Sequence, residues 1–348
     1  MANSLTFLLL YLIFGCLATF IVIPRYIDFL YKHNLGKKIR EEGLIGKATE
    51  FSRLHKNKIG TPTMGGGVIL GVILFMVSVS VVIQYFAPQL GLNINHSLLS
   101  RNETYLALFT LFTVGGIGLV DDYLNIREIG RTKGLSARVK LILLFLFGAL
   151  GAYWFYFKLG YTEVRIPLLG NFDLGIWYVP LFVLIIATMA NSVNITDGLD
   201  GLAGGLLLFN YGVYAFVCYG QDLYILSALC LIICGSLIGF LWFNIKPAAF
   251  YMGDLGSLSL GATLAIMAMM TDTLVVLLIT SAIFWLELIS VIIQLLSKKF
   301  RNGKKIFRIA PFHHHLEAIG WSEENIVMRF WLVGMILAIL GGIVSQLI

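Results

Sequence analysis

Two carboxylates, Asp197 and Asp200, stand in the stretch NSVNITDGLDGLAGG at residues 191–205, between two long apolar runs. Two Asn, one Thr and four Gly share the stretch, and it holds no Lys or Arg. A carboxylate at bilayer depth costs roughly 2.5–3.5 kcal/mol on insertion scales, so such a cluster lies just outside the apolar core or is kept for function. If Asp197 opens a helix, Asp200 follows at i+3 on the same side. Two carboxylates flanked by amides suit a hard cation or a polar ligand. The plainer alternative is a helix N-cap with solvated turn residues.

Four more segments carry chemistry-bearing residues. In KIGTPTMGGG, residues 58–67, Lys58 precedes a Pro-fixed turn and a glycine run that lets backbone approach a ligand or a neighbouring helix. A lysine there meets phosphate as a point charge, or is a membrane-surface lysine before a helix start. Asp121 and Asp122 are adjacent and diverge by about 100° on a helix, yet both can border one cavity at its end. Paired aspartates suit Mg²⁺ held through a few carboxylates, water and phosphates. Ordinary solvated acids are the alternative, weakened because the C-terminal end of a helix disfavours negative charge. Asp254, between glycines in YMGDLGS, is a cation ligand, a helix N-cap, or both. His313, His314 and His315 are consecutive, which is not a zinc spacing, but imidazoles can hydrogen-bond a diphosphate or sugar. The basic run 298–308 before them is membrane-surface or steering chemistry.

These segments need elements to hold them, and the composition says which kind. Of 348 residues 58% are hydrophobic and 13% charged, against about a quarter charged in soluble domains. Repeated apolar runs give an all-α polytopic membrane protein with one membrane domain, residues 1–348. Ten spans are expected at about 5–28, 64–86, 104–120, 139–157, 176–193, 201–219, 223–242, 257–271, 274–296 and 326–347. The first lacks a basic n-region and a cleavage pattern, so it reads as a retained span. Cys16, Cys218, Cys230 and Cys234 lie in apolar runs and form no disulfide framework. The outer loops hold only Arg101, Lys158 and Arg165 as basic residues, while the other set holds most of the rest, including Arg127, Arg131, Lys133 and Lys140. This excess marks the second set as cytoplasmic and puts both termini outside. The net charge of +6 follows the loops and is no nucleic-acid signal. Every polar motif belongs to the cytoplasmic set. Glu287 falls in the middle of a span, where a carboxylate is either functional or neutralised within the bundle. The outer loop 158–175 has the length for a small hairpin.

Taken together, GTPTMGG at 60–66, DDY at 121–123, NITDGLDGLAGG at 194–205, YMGDLGSLSLG at 251–261 and PFHHHLE at 311–317 resemble the phospho-N-acetylmuramoyl-pentapeptide transferase family in order, spacing and loop side. The resemblance runs from about residue 58 to the last span. PTMGG and PFHHHLE separate it from the sister polyprenyl-phosphate N-acetylhexosamine-1-phosphate transferases.

The resemblance implies a Mg²⁺-dependent homodimer with ten spans and a cytoplasmic-face site in the bacterial inner membrane. It implies transfer from UDP-N-acetylmuramoyl-pentapeptide to undecaprenyl phosphate, giving lipid I and UMP. Asp254 is then the Mg²⁺ ligand, and Asp121 and Asp122 are catalytic carboxylates, either as base toward the lipid phosphate or as covalent nucleophile. Asn194, Asp197, Asp200 and Asn244 match the nucleotide-side wall. Lys58, Thr63 and His313 to His315 match positions that engage the diphosphate or sugar-peptide part. One departure stands out: the family commonly has a lysine three residues after the second Asp of DDY, and here it is Asn125. Arg127, Arg131 and Lys133 are the candidates to supply that charge. Two rival readings are the sister sugar-phosphate transferase and a transporter or flippase; the latter expects ionisable residues at the bilayer midplane and an internal repeat.

Overall fold

The computed structural model describes residues 5–36, 42–43, 46–47, 60–91, 97–130 and 132–347. Lys58 and Arg131, both singled out above, lie outside the described residues. The chain forms α1 (Leu5–Lys32), α2 (Gly66–Phe86), α3 (Asn102–Ile126), α4 (Ala137–Tyr153), α5 (Tyr178–Thr196), α6 (Leu202–Gly220) and α7 (Tyr224–Asn244). Then follow α8 (Gly253–Met270), α9 (Leu274–Thr280), α10 (Ala282–Phe300), α11 (Phe312–Ala318) and α12 (Glu323–Ser345). Among the described residues nine helices are long and apolar enough to cross a membrane, or ten with α9 and α10 counted as one broken span. This is the all-α polytopic architecture the apolar runs predict.

At the centre is α8, buried from Leu255 to Met269. It packs against α3 and α5, while α1 packs on α7 and α6 on α7. Its sequence, GDLGSLSLGATLAIMAMM, is small-residue-rich, the composition that lets membrane helices approach closely. A Cβ on Gly118 of α3 would sit 2.2 Å from the Asp254 carbonyl oxygen. One on Gly66 of α2 would sit 2.3 Å from the Gly256 Cα. Both positions are therefore closed to any side chain, and the contacts fix the site: Asp121 and Asp122 follow Gly118 at i+3 and i+4, on the same helix face.

The expected span 274–296 is not one helix. It breaks at Ser281, where α9 and α10 meet at 74°. No Gly or Pro marks the break. Instead the Ser281 hydroxyl donates to the Leu277 carbonyl and Thr280 Oγ1 donates to the same oxygen at 3.5 Å. Hydroxyls bonded back to i−3 and i−4 carbonyls bend helices. Beyond the break, α10 is amphipathic in an inverted sense. Glu287, Ser290, Gln294 and Ser297 are buried, whereas Leu286, Ile289, Ile292 and Leu296 are exposed. The polar stripe pins the returning loop: Gln294 accepts from the Ile306 and Phe307 N–H groups, and Ser297 donates to the Lys304 carbonyl at 2.8 Å.

The outer loop does form the small hairpin, with β1 (Glu163–Ile166) antiparallel to β2 (Gly170–Asp173). The four cysteines are free.

Candidate active site

The motif loops gather at one end of the bundle, around the N-terminus of α8. The first N–H groups of a helix have no partner within it. Here carboxylates from other helices take them. Gly253 N–H donates to Asp197 Oδ2 at 3.2 Å, Asp254 N–H to Asp122 Oδ1 at 3.1 Å, and Leu255 N–H to Asp122 Oδ2 at 3.0 Å. Asp122 lies near the unfavourable C-terminal end of α3 but on the favourable N-terminal end of α8. Solvated turn acids are thereby excluded, since Asp121 and Asp122 are buried.

Asp254 does not cap its own helix, so its carboxylate is left for other partners. Its Oδ1 accepts from Asn194 Nδ2 at 2.8 Å, and its Oδ2 lies 2.8 Å from Lys140 Nζ. The same ammonium lies 2.9 Å from Asp121 Oδ2. Asp121 Oδ1 accepts from the Leu135 N–H. One lysine thus bridges two carboxylates that would otherwise repel across a buried gap.

Lys140 is the residue the sequence reading missed. It entered only as loop charge. Arg127 and Lys133, the candidates for the missing lysine, are occupied elsewhere: Lys133 pairs with Glu128 at 3.0 Å and Arg127 stacks over Tyr123. A signal did exist. Lys140 falls in the first turn of α4, where a cation opposes the helix dipole and needs an acid to hold it.

A cavity opens beside this cluster, lined by Thr63, Asp122, Asn125, Ile126, Asn194, Asp197, Tyr251, Gly253 and Asp254. Thr63 is delivered by an extended pairing in which Tyr251 N–H donates to the Pro62 carbonyl and Gly65 N–H to the Tyr251 carbonyl. Burial, with Asp200 nearby, pushes the Tyr251 phenol up, so it stays a neutral hydroxyl. Asn125 faces the cavity with an amide where the resembling family places a cation.

Asp197 and Asp200 are not partners on one helix face. Asp197 ends α5 as its C-cap, and Asp200 lies in the turn before α6, which opens on Gly201 at φ 80°. The glycine is required there because left-handed backbone strains other side chains. Their carboxylates diverge: Asp200 Oδ2 accepts from the Ala248 N–H at 3.1 Å, away from Gly253. Asn244 completes this second corner, accepting from Gly201 N–H and donating to the Phe250 carbonyl. Glu323 takes the Asp200 N–H at 2.9 Å and pairs with Lys246 at 3.3 Å. Asp200 and Asn244 therefore shape the wall behind the cavity rather than line it.

The three histidines part company. His313 and His314 are buried against Gly198, where a Cβ would meet His313 Nε2 at 2.4 Å and His314 Nε2 at 3.2 Å. His314 Nδ1 bonds Glu317. His315 turns the other way, accepting the Arg308 N–H at 3.2 Å and packing on Phe307 and Phe312. It points away from His313 and His314 because on α11 (Phe312–Ala318) successive side chains fan out by about 100°.

Among the described residues no group of three or more His, Cys, Asp or Glu is gathered as a metal site. Asp254 and Asp122 supply carboxylate oxygens to the cavity wall, those of Asp254 being bonded by Asn194 and Lys140, and one or two carboxylates suit Mg²⁺ completed by phosphate and water rather than an all-protein cage.

Comparison with known proteins gives a consistent picture. The model for glycosyl transferase family 4 matches residues 104–272. A phospho-N-acetylmuramoyl-pentapeptide-transferase of Geobacillus sp. strain WCH70 is 38% identical over 336 residues, 96% of each chain. The protein of that name from Shouchella clausii strain KSM-K16 is 38% identical over 342 residues, 96% of each chain. The one from Bacillus subtilis strain 168 is 35% identical over 332 residues, 95% of each chain.

Proposed function

We infer the reaction of this chain from its kinship: it belongs to the phospho-N-acetylmuramoyl-pentapeptide-transferase family, within glycosyl transferase family 4. It transfers phospho-N-acetylmuramoyl-pentapeptide to a lipid carrier in peptidoglycan synthesis. The donor is UDP-N-acetylmuramoyl-pentapeptide and the acceptor undecaprenyl phosphate. The products are lipid I and UMP. The protein works in the bacterial inner membrane as a single membrane domain, with the motif end facing the cytoplasm. The homodimer belongs to the same reading, and native mass measurement in detergent checks it.

One observation carries the proposal. The cavity at the motif end joins an acidic wall, Asp122 and Asp254, to hydroxyl and amide groups from four separate segments, at Thr63, Asn125, Asn194 and Tyr251. An oxygen of the lipid phosphate forms a bond to the sugar-bearing phosphorus of the donor, the bond from that phosphorus to the bridging oxygen breaks, and UMP leaves with that oxygen. Such transfers need positioning and charge neutralisation more than covalent help. Asp122 borders the cavity and is assigned the contact with the acceptor phosphate and its proton. Asp121 does not line it, and acts by holding Lys140. Thr63, Asn125 and Asn194 hydrogen-bond the diphosphate.

Asp254 would hold Mg²⁺, which when bound neutralises diphosphate charge. The carboxylates of Asp254 and Asp122 on one cavity wall support that choice, with Asn194 and Lys140 as the groups that now bond the Asp254 oxygens. Lys140 already supplies one positive charge beside Asp254. The turn carrying Asp197 and Asp200 shapes the nucleotide side.

The test is UMP release by the purified chain in detergent with undecaprenyl phosphate. Release requires both UDP-N-acetylmuramoyl-pentapeptide and Mg²⁺. No release with all three present, or equal use of UDP-N-acetylglucosamine as donor, would overturn the reading.

A further inference from the structure

Among the described residues, Glu287 is a fully buried acidic side chain that the reaction above leaves unused. It is fully buried on the inner stripe of α10. Its neighbours on that stripe, Gln294 and Ser297, bond backbone of the returning loop, and Ser297 also accepts from Arg301 Nη1 at 3.4 Å. Glu287 differs. It accepts the His313 backbone N–H at 3.2 and 3.3 Å, and its Oε2 also lies 3.0 Å from His313 Nδ1. The Nδ1 contact is not aligned as a straight hydrogen bond, so its sign is set by charge. Two lone pairs at that distance repel, and a proton on Nδ1 turns the contact attractive. Both oxygens already accept from the one His313 backbone N–H, so the side chain is an acceptor toward this residue, and a proton on Nδ1 continues that pattern.

The other ring nitrogen is the consequence. With Nδ1 protonated, Nε2 of a neutral imidazole bears the lone pair. That atom is buried and has no hydrogen-bond partner among the described residues. It is aimed at Gly198, next to Asp197 in the cavity wall. A buried unpaired polar atom in a folded protein calls for an explanation. The ring is otherwise bounded by His314, at 4.1 Å between centroids, whose own Nδ1 is committed to Glu317.

We propose that Glu287 is a positioning residue of the transfer reaction: it fixes the tautomer of His313 so that Nε2 presents an acceptor to the donor substrate beside the Gly198 turn. The proposal rests on the function given above. It departs from a packing role in one respect. Glu287→Gln keeps size and burial but has a single accepting oxygen. Its amide NH₂ then faces Nδ1, which must become the acceptor, and the proton moves to Nε2.

The experiment is ¹⁵N NMR of the histidine rings in the full-length protein in detergent, with the His313 signal assigned from its loss in His313→Gln. Expected in the unaltered protein is a His313 ring protonated at Nδ1. A ring protonated at Nε2 alone overturns the proposal without any variant. In Glu287→Gln the proton is expected on Nε2, with kcat for UMP release down on the order of 10–100-fold, the usual loss when a histidine's orienting partner is removed. KM for the UDP-linked donor is expected to move less. Glu287→Asp, which keeps two accepting oxygens, is expected to retain the Nδ1 proton and recover part of kcat. An unchanged tautomer, or an unchanged kcat in folded Glu287→Gln, refutes the role. Should Glu287→Gln fail to fold, the unaltered protein and Glu287→Asp still decide it: loss of the Nδ1 proton in either refutes it. If the unaltered chain releases no UMP, the function reading fails, whereas the ring assignment still reports on the Glu287–His313 pair.

Discussion

The two ends of the helix bundle are both polar, but by different means. At the hairpin end, the outer one under the function proposed above, several polar groups finish their own turns. Asp173 accepts the N–H of Gly175 at 2.9 Å, Asp222 accepts from the Tyr224 hydroxyl, and Glu163 accepts from Asn171 across one hairpin. At the motif end partners come from far along the chain. Asp122 bonds residues 132 and 133 positions away, Lys140 reaches 114 positions to Asp254, and Asp197 reaches 56 to Gly253. Local bonds stabilise a turn and carry no further meaning. Convergent ones cost chain entropy and persist where several helices must share one spot. The difference teaches which acids to test first.

The largest effect is expected at Asp254. Asp254→Asn keeps the Asn194 contact and removes the negative charge at the meeting point of α3, α4, α5 and α8. UMP release should fall at least ~100-fold, the scale for losing a key electrostatic group. Folding should hold, because one of two facing carboxylates is gone. A melting temperature well below that of the unaltered protein, or activity within about 10-fold of it, would remove the contrast between the two ends.

Next comes Lys140→Met. The substitution leaves Asp121 and Asp254 facing each other without the ammonium, and breaking a buried pair costs on the order of 3 kcal/mol. Both activity and thermal stability in detergent should drop. The sharper measurement is the double variant with Asp254→Asn. It should be more stable than Lys140→Met alone, since the stranded charge is gone. Simple addition of the two single effects would show that Lys140 is not the bridge.

Asp122→Asn sits third in stability terms. The amide keeps one accepting oxygen for the Asp254 or Leu255 N–H and turns its NH₂ on the other. The cost is about 1–2 kcal/mol, as for a lost helix cap. Asp173→Asn at the outer end should stay within about 0.5 kcal/mol. Chemical denaturation of both variants in the same detergent compares them, and equal costs would mean that the two ends are built alike.

How much of this was readable beforehand follows from the same distinction. Most span positions and the gathering at one end of the segments carrying Asp121, Asp122 and Asp254 were legible, because apolar runs and acids at helix ends are local signals. Three things were not. Lys140 looked like loop charge because its partners are elsewhere in sequence. The break at Ser281 was hidden, since Thr280 and Ser281 are ordinary in an apolar run and act only through their bonds to Leu277. The shared face expected for Asp197 and Asp200 assumed a helix that the turn at Gly201 interrupts. Each miss is a case of tertiary context deciding what a residue type permits. The wrong-end charges were the available clue: Asp121 near a helix C-terminus and Lys140 near an N-terminus are each unfavourable alone and pair with each other.

The smallest expected effect tests the one outer acid that does reach across the chain. Asp272 Oδ1 accepts the Arg165 N–H at 3.3 Å and ties the β1–β2 hairpin to the corner after α8. Burial, with Glu163 adding repulsion, raises its carboxyl above the usual value despite the opposing pull of Arg165. A carboxyl raised on folding binds its proton more tightly in the folded chain. The fold therefore loses stability from this group as pH rises from the usual carboxylate range through the folded value, and the cost is complete at neutral pH. Asp272→Asn keeps an accepting oxygen and has no charge to bury. At neutral pH it should melt at or slightly above the temperature of the unaltered protein, with UMP release unchanged, and the difference should vanish at acid pH. A clear fall in activity would mean that the outer corner is coupled to the motif end, and the contrast between the two ends would then fail where the chain itself connects them, along α8.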